Sequence, residues 1–355
     1  MTPTLKTLEA IDAFGSVQSL LDWARAPREI GVIMPRVGSG SQGPRPVTPD
    51  EPAYAELGRI DPQGHGNGCY EIQPGVPVRL SERVIRVTAN NGSMMTGPGT
   101  NTYLVGGGAR NEWAVIDPGP HDPRHAEAVL AAAPGPIRWI FATHTHHDHS
   151  PATPLLKSRT GAVVHGRRPA HPQWQDTGFE PDVTLAGGET VRLGDAATLR
   201  VLHTPGHASN HLCYLLQEEK TLFAGDHVMQ QSTVVINPPD GDMAAYIASL
   251  RALMAEDLDW IAPGHGFLMA QPQRAMAAIV AHRLRREAKV ADALRALGPA
   301  LADALLPRVY DDVPPRLHGM ALRSLQAHLL KLAADGRAAE SNGAWRSLEG
   351  GVHAT

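Results

Sequence analysis

Cysteine is nearly absent from these 355 residues: only Cys69 and Cys213 occur, and they form no CxxC pair. A disulfide framework is thereby excluded, and a reducing cytoplasm is the expected setting. Charge of one sign is lacking too. The net charge of −4 and a pI near 6.5 give no global attraction to polyanions, so any nucleic-acid contact has to be local. No run of about 18 apolar residues appears, so no membrane span is expected. The N-terminus has Glu9, Asp12 and Asp22 where a leader would be basic and then apolar, so neither a secretory signal nor a transit peptide is read there.

What remains is an ordinary globular composition, 42% hydrophobic and 19% charged, long enough for a large domain and one or two smaller ones. Leu5, Leu8, Ile11, Phe14, Val17, Leu20 and Leu21 recur at helical spacing and predict a helix over 1–27 whose stripe packs. Residues 35–79 are rich in Pro, Gly and Asp and read as loop that wraps a surface. Glu82–Val87 reads as an edge strand, and Thr102–Val105 and Trp113–Ile116 as two more across the Gly106-Gly-Gly turn. Further apolar strands run into His144, into His203-Thr-Pro-Gly-His207, into Gly225-Asp226 and into Pro263-Gly-His265. Ser150 and Pro151 have the chemistry of a helix N-cap and first helical position.

The run Thr143-His-Thr-His-His-Asp-His149 concentrates the chemistry, with His207, Asp226 and His265 arriving 58, 19 and 39 residues apart. Five imidazoles (His144, His146, His149, His207, His265) and two carboxylates (Asp148, Asp226) suffice for two divalent cations, each with a position open for water. In an extended loop His144 and His146 project to one side and can share a cation. Asp148 and His149 follow at a turn and face a neighbouring one, leaving single ligands and an anion between the sites to come from His207, His265 and Asp226.

These segments resemble the metallo-β-lactamase superfamily, and within it two-metal hydrolases such as glyoxalase II. The resemblance implies an α/β fold, an αββα sandwich. It implies His144, His146 and His207 on the first metal, Asp148, His149 and His265 on the second, and Asp226 bridging. Zinc is the first expectation, with manganese or iron also suited to such sites. Two cations about 3.5–4 Å apart would yield a bridging hydroxide near neutral pH and polarise the scissile bond, with Asp148 orienting the attack. His203 and His227 are candidate donors to the leaving group. Asp226 stands where antibiotic hydrolases often carry Cys.

Gly99-Thr-Asn-Thr-Tyr, His203-Thr-Pro-Gly-His and Phe223-Ala-Gly-Asp-His further resemble the beta-lactamase-like protein 2 branch, over roughly residues 80–340. After Gln271 the chain turns helical, with 11 Lys/Arg against 7 Asp/Glu over 274–340. Helices near 273–296, 299–307 and 316–334, then an Asn342-Gly343 hairpin signal, predict a winged-helix-like module. The expected domains are an extension over 1–79, a catalytic domain over 80–272 and a C-terminal domain over 273–350. Three functions stand open. A single-stranded RNA phosphodiesterase is read first, with Arg283, Arg285, Arg286, Arg316, Arg323 and Arg346 tracking phosphates. Hydrolysis of a small thioester or ester is second, and a nucleic-acid-binding module with structural metals is third. His147, His165, His171, His211 and His282 are read as structural or surface groups, Cys213 as a small buried hydrophobe, and Asn101 and Thr102 as a strand entry near the site.

Overall fold

Alternation of apolar side chains decides the architecture. In the computed structural model, which describes residues 2–27, 34–230 and 233–349, successive strand residues feed different cores. Tyr103 and Val105 join one cluster while Leu104 joins another; Leu212, Tyr214 and Leu216 join the first while Cys213 and Leu215 join a third. With a side-chain period of two, strands apolar on both faces must be covered on both.

The first sheet holds β3 (Val78–Arg79), β4 (Val84–Thr88), β5 (Asn101–Gly107), β6 (Glu112–Ile116), β7 (Ile137–Phe141), β8 (Val163–Gly166) and β9 (Val183–Thr184), in that order. The second holds β10 (Thr190–Leu193), β11 (Ala197–His203), β12 (Leu212–Leu216), β13 (Thr221–Gly225), β14 (Trp260–Pro263) and β15 (Met269–Ala270). Val84, Ile116 and Phe141 of the first meet Leu199, Tyr214 and Phe223 of the second in a shared core, so the sheets lie face to face. Helices α4 (Pro123–Ala132) and α5 (Thr153–Thr160) cover the outer face of the first sheet, and α6 (Met243–Leu253) that of the second. This is an α/β sandwich of order αββα. The first sheet is an antiparallel meander from β3 to β6 that continues in parallel through β7, β8 and β9, and the second has one parallel pair, β13 and β14. The connections β6–α4–β7, β7–α5–β8 and β13–α6–β14 run through helices because parallel strands need a crossover.

β4 is not the edge expected of it. It lies second in its sheet, fully buried, with β3 on its open side. Nor is 36–79 only loop: it contains β1 (Arg36–Gly38), β2 (Arg45–Val47) and α3 (Tyr54–Ile60). From α3, the buried Glu56 pairs with Arg86 of β4 at 2.6 and 3.0 Å and accepts the Leu268 N–H at 2.8 Å, three residues past His265. The segment Met1–Pro35 is a separate compact unit. Its expected single helix is two, α1 (Thr2–Asp12) and α2 (Val17–Arg25), because Ser16 and Ser19 form a capping box that starts a new one. Within this unit Leu5, Leu8 and Val17 are 55%, 57% and 74% exposed.

The long helix α7 (Pro272–Leu297) serves two cores. Met276 and Val280 pack against α6, while Val290 and Leu294 pack with α8 (Ala302–Val309) and α9 (His318–Ala334). A three-stranded sheet of β16 (Ala300–Leu301), β17 (Ala338–Ser341) and β18 (Ala344–Ser347) completes a winged-helix domain. Its hairpin turns at Asn342 and Gly343, both at positive φ, as a tight two-residue turn requires. Among the described residues no helix is long and apolar enough to cross a membrane.

Candidate metal centre

All seven expected ligands gather at one edge of the sandwich, where four strands end. The 143–149 loop follows β7 and is held by a residue that sequence reading passed over. Asp117, at positive φ just past β6, accepts from the Thr143 N–H (2.7 Å) and hydroxyl (2.8 Å) and from His149 Nδ1 (2.9 Å). The only sequence signal is an Asp-Pro-Gly turn at a strand end. The expected helix start at Ser150 is not found; α5 begins at Thr153, and Ser150 donates to Asp176 at 2.7 Å instead. Asp148 and His149 sit in the turn ahead of it.

Ring nitrogens of His144, His146 and His207 form the first group: His144 Nε2 and His207 Nε2 each lie 2.9 Å from His146 Nδ1. Asp148, His149 and His265 form the second, with Asp148 Oδ2 at 3.4 Å from His149 Nε2 and 3.3 Å from His265 Nε2. Asp226 faces both groups. Its Oδ1 is 3.3 Å from His149 Nε2 and 3.2 Å from His265 Nε2, and its Oδ2 is 3.7 Å from His207 Nε2. The back nitrogens are anchored: His144 Nδ1 on the Thr143 hydroxyl, His207 Nδ1 on the Val235 carbonyl, His265 Nδ1 on the Gly99 carbonyl. Each anchor leaves Nε2 as the inward atom, which is how a ligating imidazole is oriented.

Electrostatics divide the groups. Burial and neighbouring imidazoles push His144 well below its ordinary pKa and His146 down to about 3, so both stay neutral. Burial opposes charge in the second group as well, but Asp226 and Asp148 outweigh it and hold His265 up at about 10 and His149 well above its usual range. The same attraction, led by His149 and His265, holds both carboxyls well below theirs against the cost of burial. The carboxylates thus demand positive charge between the rings. His149 Nε2, His265 Nε2 and Asp226 Oδ1 are buried without a hydrogen-bond partner. Gly264 keeps the cradle open: a Cβ there would stand 2.5 Å from Asp226 Oδ1 and 2.9 Å from His149 Cε1. Orphaned inward donors, an N/O donor set and an open cradle fit divalent cations.

The remaining histidines sort by place. His211 is buried beside His144, ring centroids 5.1 Å apart, with Nδ1 on Thr204. His227, a candidate proton donor, lies buried between His211 and Tyr246, and burial lowers its pKa to about 3; it holds no proton to give at neutral pH. His203, the other candidate, is exposed and its Nε2 faces the Ser209 carbonyl at 3.1 Å. His147 is exposed at the mouth of the centre, and His165 stacks on Phe141. Cys213 is buried, and burial raises its thiol to about 12.

Of the six arginines read as tracking phosphates, Arg283 and Arg286 are buried, while Arg285, Arg316 and Arg346 are exposed. Arg283 is buried and donates to the Val234 carbonyl; Arg286 is buried and bonded to Asp312 and to the Val309 carbonyl. Arg323 lies over the Trp174 ring at 5.0 Å, while Arg346 points outward from the wing hairpin.

Two facing sheets with a His/Asp centre at one edge define the class of metal-centred hydrolases. The chain belongs to the metallo-beta-lactamase superfamily. That family's profile matches residues 95–265, and the beta-lactamase associated winged helix domain matches 302–345. An atrochrysone carboxyl ACP thioesterase of Aspergillus chevalieri is 33% identical, covering 77% of this chain and 86% of its own. A beta-lactamase-like protein 2 homolog of Caenorhabditis elegans is 30% identical over 73% of this chain and 86% of its own. A metallo-beta-lactamase family protein of Thermus thermophilus shares the fold, with a TM-score of 0.64 at 20% identity, over 76% of this chain and all of its own. The chain is therefore an enzyme of the hydrolase type.

Proposed function

We propose that this chain is a thioester hydrolase working with two divalent cations, zinc first among them, in a cytoplasmic setting. His144, His146 and His207 would hold one cation, Asp148, His149 and His265 the other, and Asp226 both. The observation that carries the reading is the placement of Asp226, whose two oxygens face the two groups at 3.2–3.7 Å. Bound cations would supply Lewis acidity to the scissile carbonyl and make water acidic enough to attack near neutral pH.

The chain's own part is positioning. Asp148 keeps its carboxylate partly open to the cavity, tethered by the Thr100 hydroxyl at 3.1 Å, where it orients attacking water and takes its proton. A thiol leaving group, with a pKa of about 8.5, departs without a dedicated acid. That suits a site in which His227 holds no proton and His203 is turned to a backbone carbonyl. The relative named as an acyl-carrier thioesterase supports this reading over the phosphodiester one.

Elemental analysis of reconstituted protein should find two transition metals per chain, and one or none would refute the assignment. In parallel assays with an acyl thioester and single-stranded RNA, thioester turnover is expected, lost in Asp226→Ala with the fold retained. RNA cleavage with thioesters untouched would reverse the conclusion.

A further inference from the structure

The metal centre opens into a cavity of about 420 Å3 that reaches from His207 and Asp226 to the C-terminal domain. Four of the ten methionines, Met94, Met95, Met229 and Met320, line it, together with Tyr310. Met94 and Met95 are 70% and 49% exposed at the tip of a loop before β5. The loop is ordered by a Ser93–Gly97 bridge and by the Thr96 hydroxyl donating to the Asn91 carbonyl at 2.5 Å. An ordered loop presenting two methionines beside a reactive centre is built to meet an apolar ligand, since exposed apolar pairs otherwise lose free energy in water. Methionine, unbranched and polarizable, adapts to irregular or flat groups. In the wall Arg286 is bonded to the Val309 carbonyl and to Asp312, and Arg283 donates to the Val234 carbonyl while its Nε has no hydrogen-bond partner.

The centre also opens into a smaller cavity of about 230 Å3 that shares Met95, His207, Asp226 and Val235 with the first and extends to Trp174 and Arg323. The arrangement gives the substrate a direction: carbonyl at the centre, acyl group in the large cavity, thiol leaving through the small one. Resting on the thioester reading above, we infer that the substrate's acyl group is large and apolar, of drug-like rather than lactoyl size, and that the winged-helix domain selects it by walling the cavity with Tyr310 and Met320. A volume of several hundred Å3 accommodates such a group, and a two- or three-carbon acyl unit would leave most of it unfilled.

The test uses metal-loaded full-length protein and S-acyl N-acetylcysteamines from acetyl to decanoyl, plus 2-naphthoyl. The inference expects kcat/KM to rise roughly fourfold per methylene until the cavity is filled. Met320→Trp, and separately Met94→Trp on the exposed loop, should lower the ratio of decanoyl to acetyl kcat/KM at least about tenfold. Binding of free decanoate and 2-naphthoate, read by calorimetry, should weaken in the same variants. Equal turnover of all thioesters would overturn the inference and leave the thioester reading standing. No turnover of any would refute that reading, and carboxylate binding would then decide the cavity alone: tight binding lost in both variants supports it, and absent binding overturns it.

Discussion

Asp117 carries three hydrogen bonds, and two of them fix the backbone and hydroxyl of Thr143 ahead of the metal-ligand run. Losing the anion leaves His149 free to turn or to present the wrong nitrogen. Asp117→Asn should weaken metal affinity by about 10–100-fold, measured by chelator competition; wild-type affinity would contradict the role. The seven residues that gather at the centre were legible because divalent cations accept few residue types and the run packs four candidates into six positions. Asp117 was not, since in sequence it reads only as the start of a turn. His211 was hidden for a similar reason: its partner ring, His144, is 67 residues away, and nothing local marks the pair.

At the scale of elements, one side-chain amide contributes several of the bonds that join β5 to the His265 loop. Asn101 Nδ2 donates to the Pro263 and Gly266 carbonyls at 3.0 and 2.8 Å, and its Oδ1 accepts from Thr88 at 2.7 Å. Asn101→Ala leaves the Gly266 carbonyl buried without that donor. It should cost about 1–3 kcal/mol in urea unfolding, and a loss below about 0.5 kcal/mol would refute the account. The strands were readable because both faces are apolar and each ends in a polar, turn-forming segment. What misled was local chemistry overruled from a distance. Ser150 has the side chain of an N-cap but is claimed by Asp176, and α3 is secured by Glu56 to Arg86, 30 residues away. A pattern of apolar spacing contains neither fact.

At the scale of the whole molecule, Glu287 of α7 ties the winged-helix domain together through Lys331 and Arg337, each at 3.1 Å. Burial raises its carboxyl pKa, but His328, 3.9 Å away, and Lys331, which donates to its Oε1 at 3.2 Å, outweigh that and leave it lowered. Burial also lowers His328, which stays neutral in the fold. Both shifts have the same sign: a lowered folded pKa means the unfolded chain takes up the proton first. The stabilisation is full at neutral pH. It declines below the ordinary histidine range of about 6.5 for His328, and for Glu287 as pH falls through its lowered carboxyl value. Thermal midpoints from about pH 5 to 2 should therefore fall more steeply for the natural chain than for Glu287→Gln, which starts lower. Parallel slopes would count against the cluster.

Four candidate ligands leave the end of the first sheet and three the end of the second, and neither sheet alone offers three to either group. The centre is therefore a clasp between two halves that must first close. A cation can be captured tightly only after the sheets have docked, so metal uptake in a refolding chain is a late event that reports completed assembly. The same clasp makes a chelator loosen the seam between the sheets before it loosens either sheet.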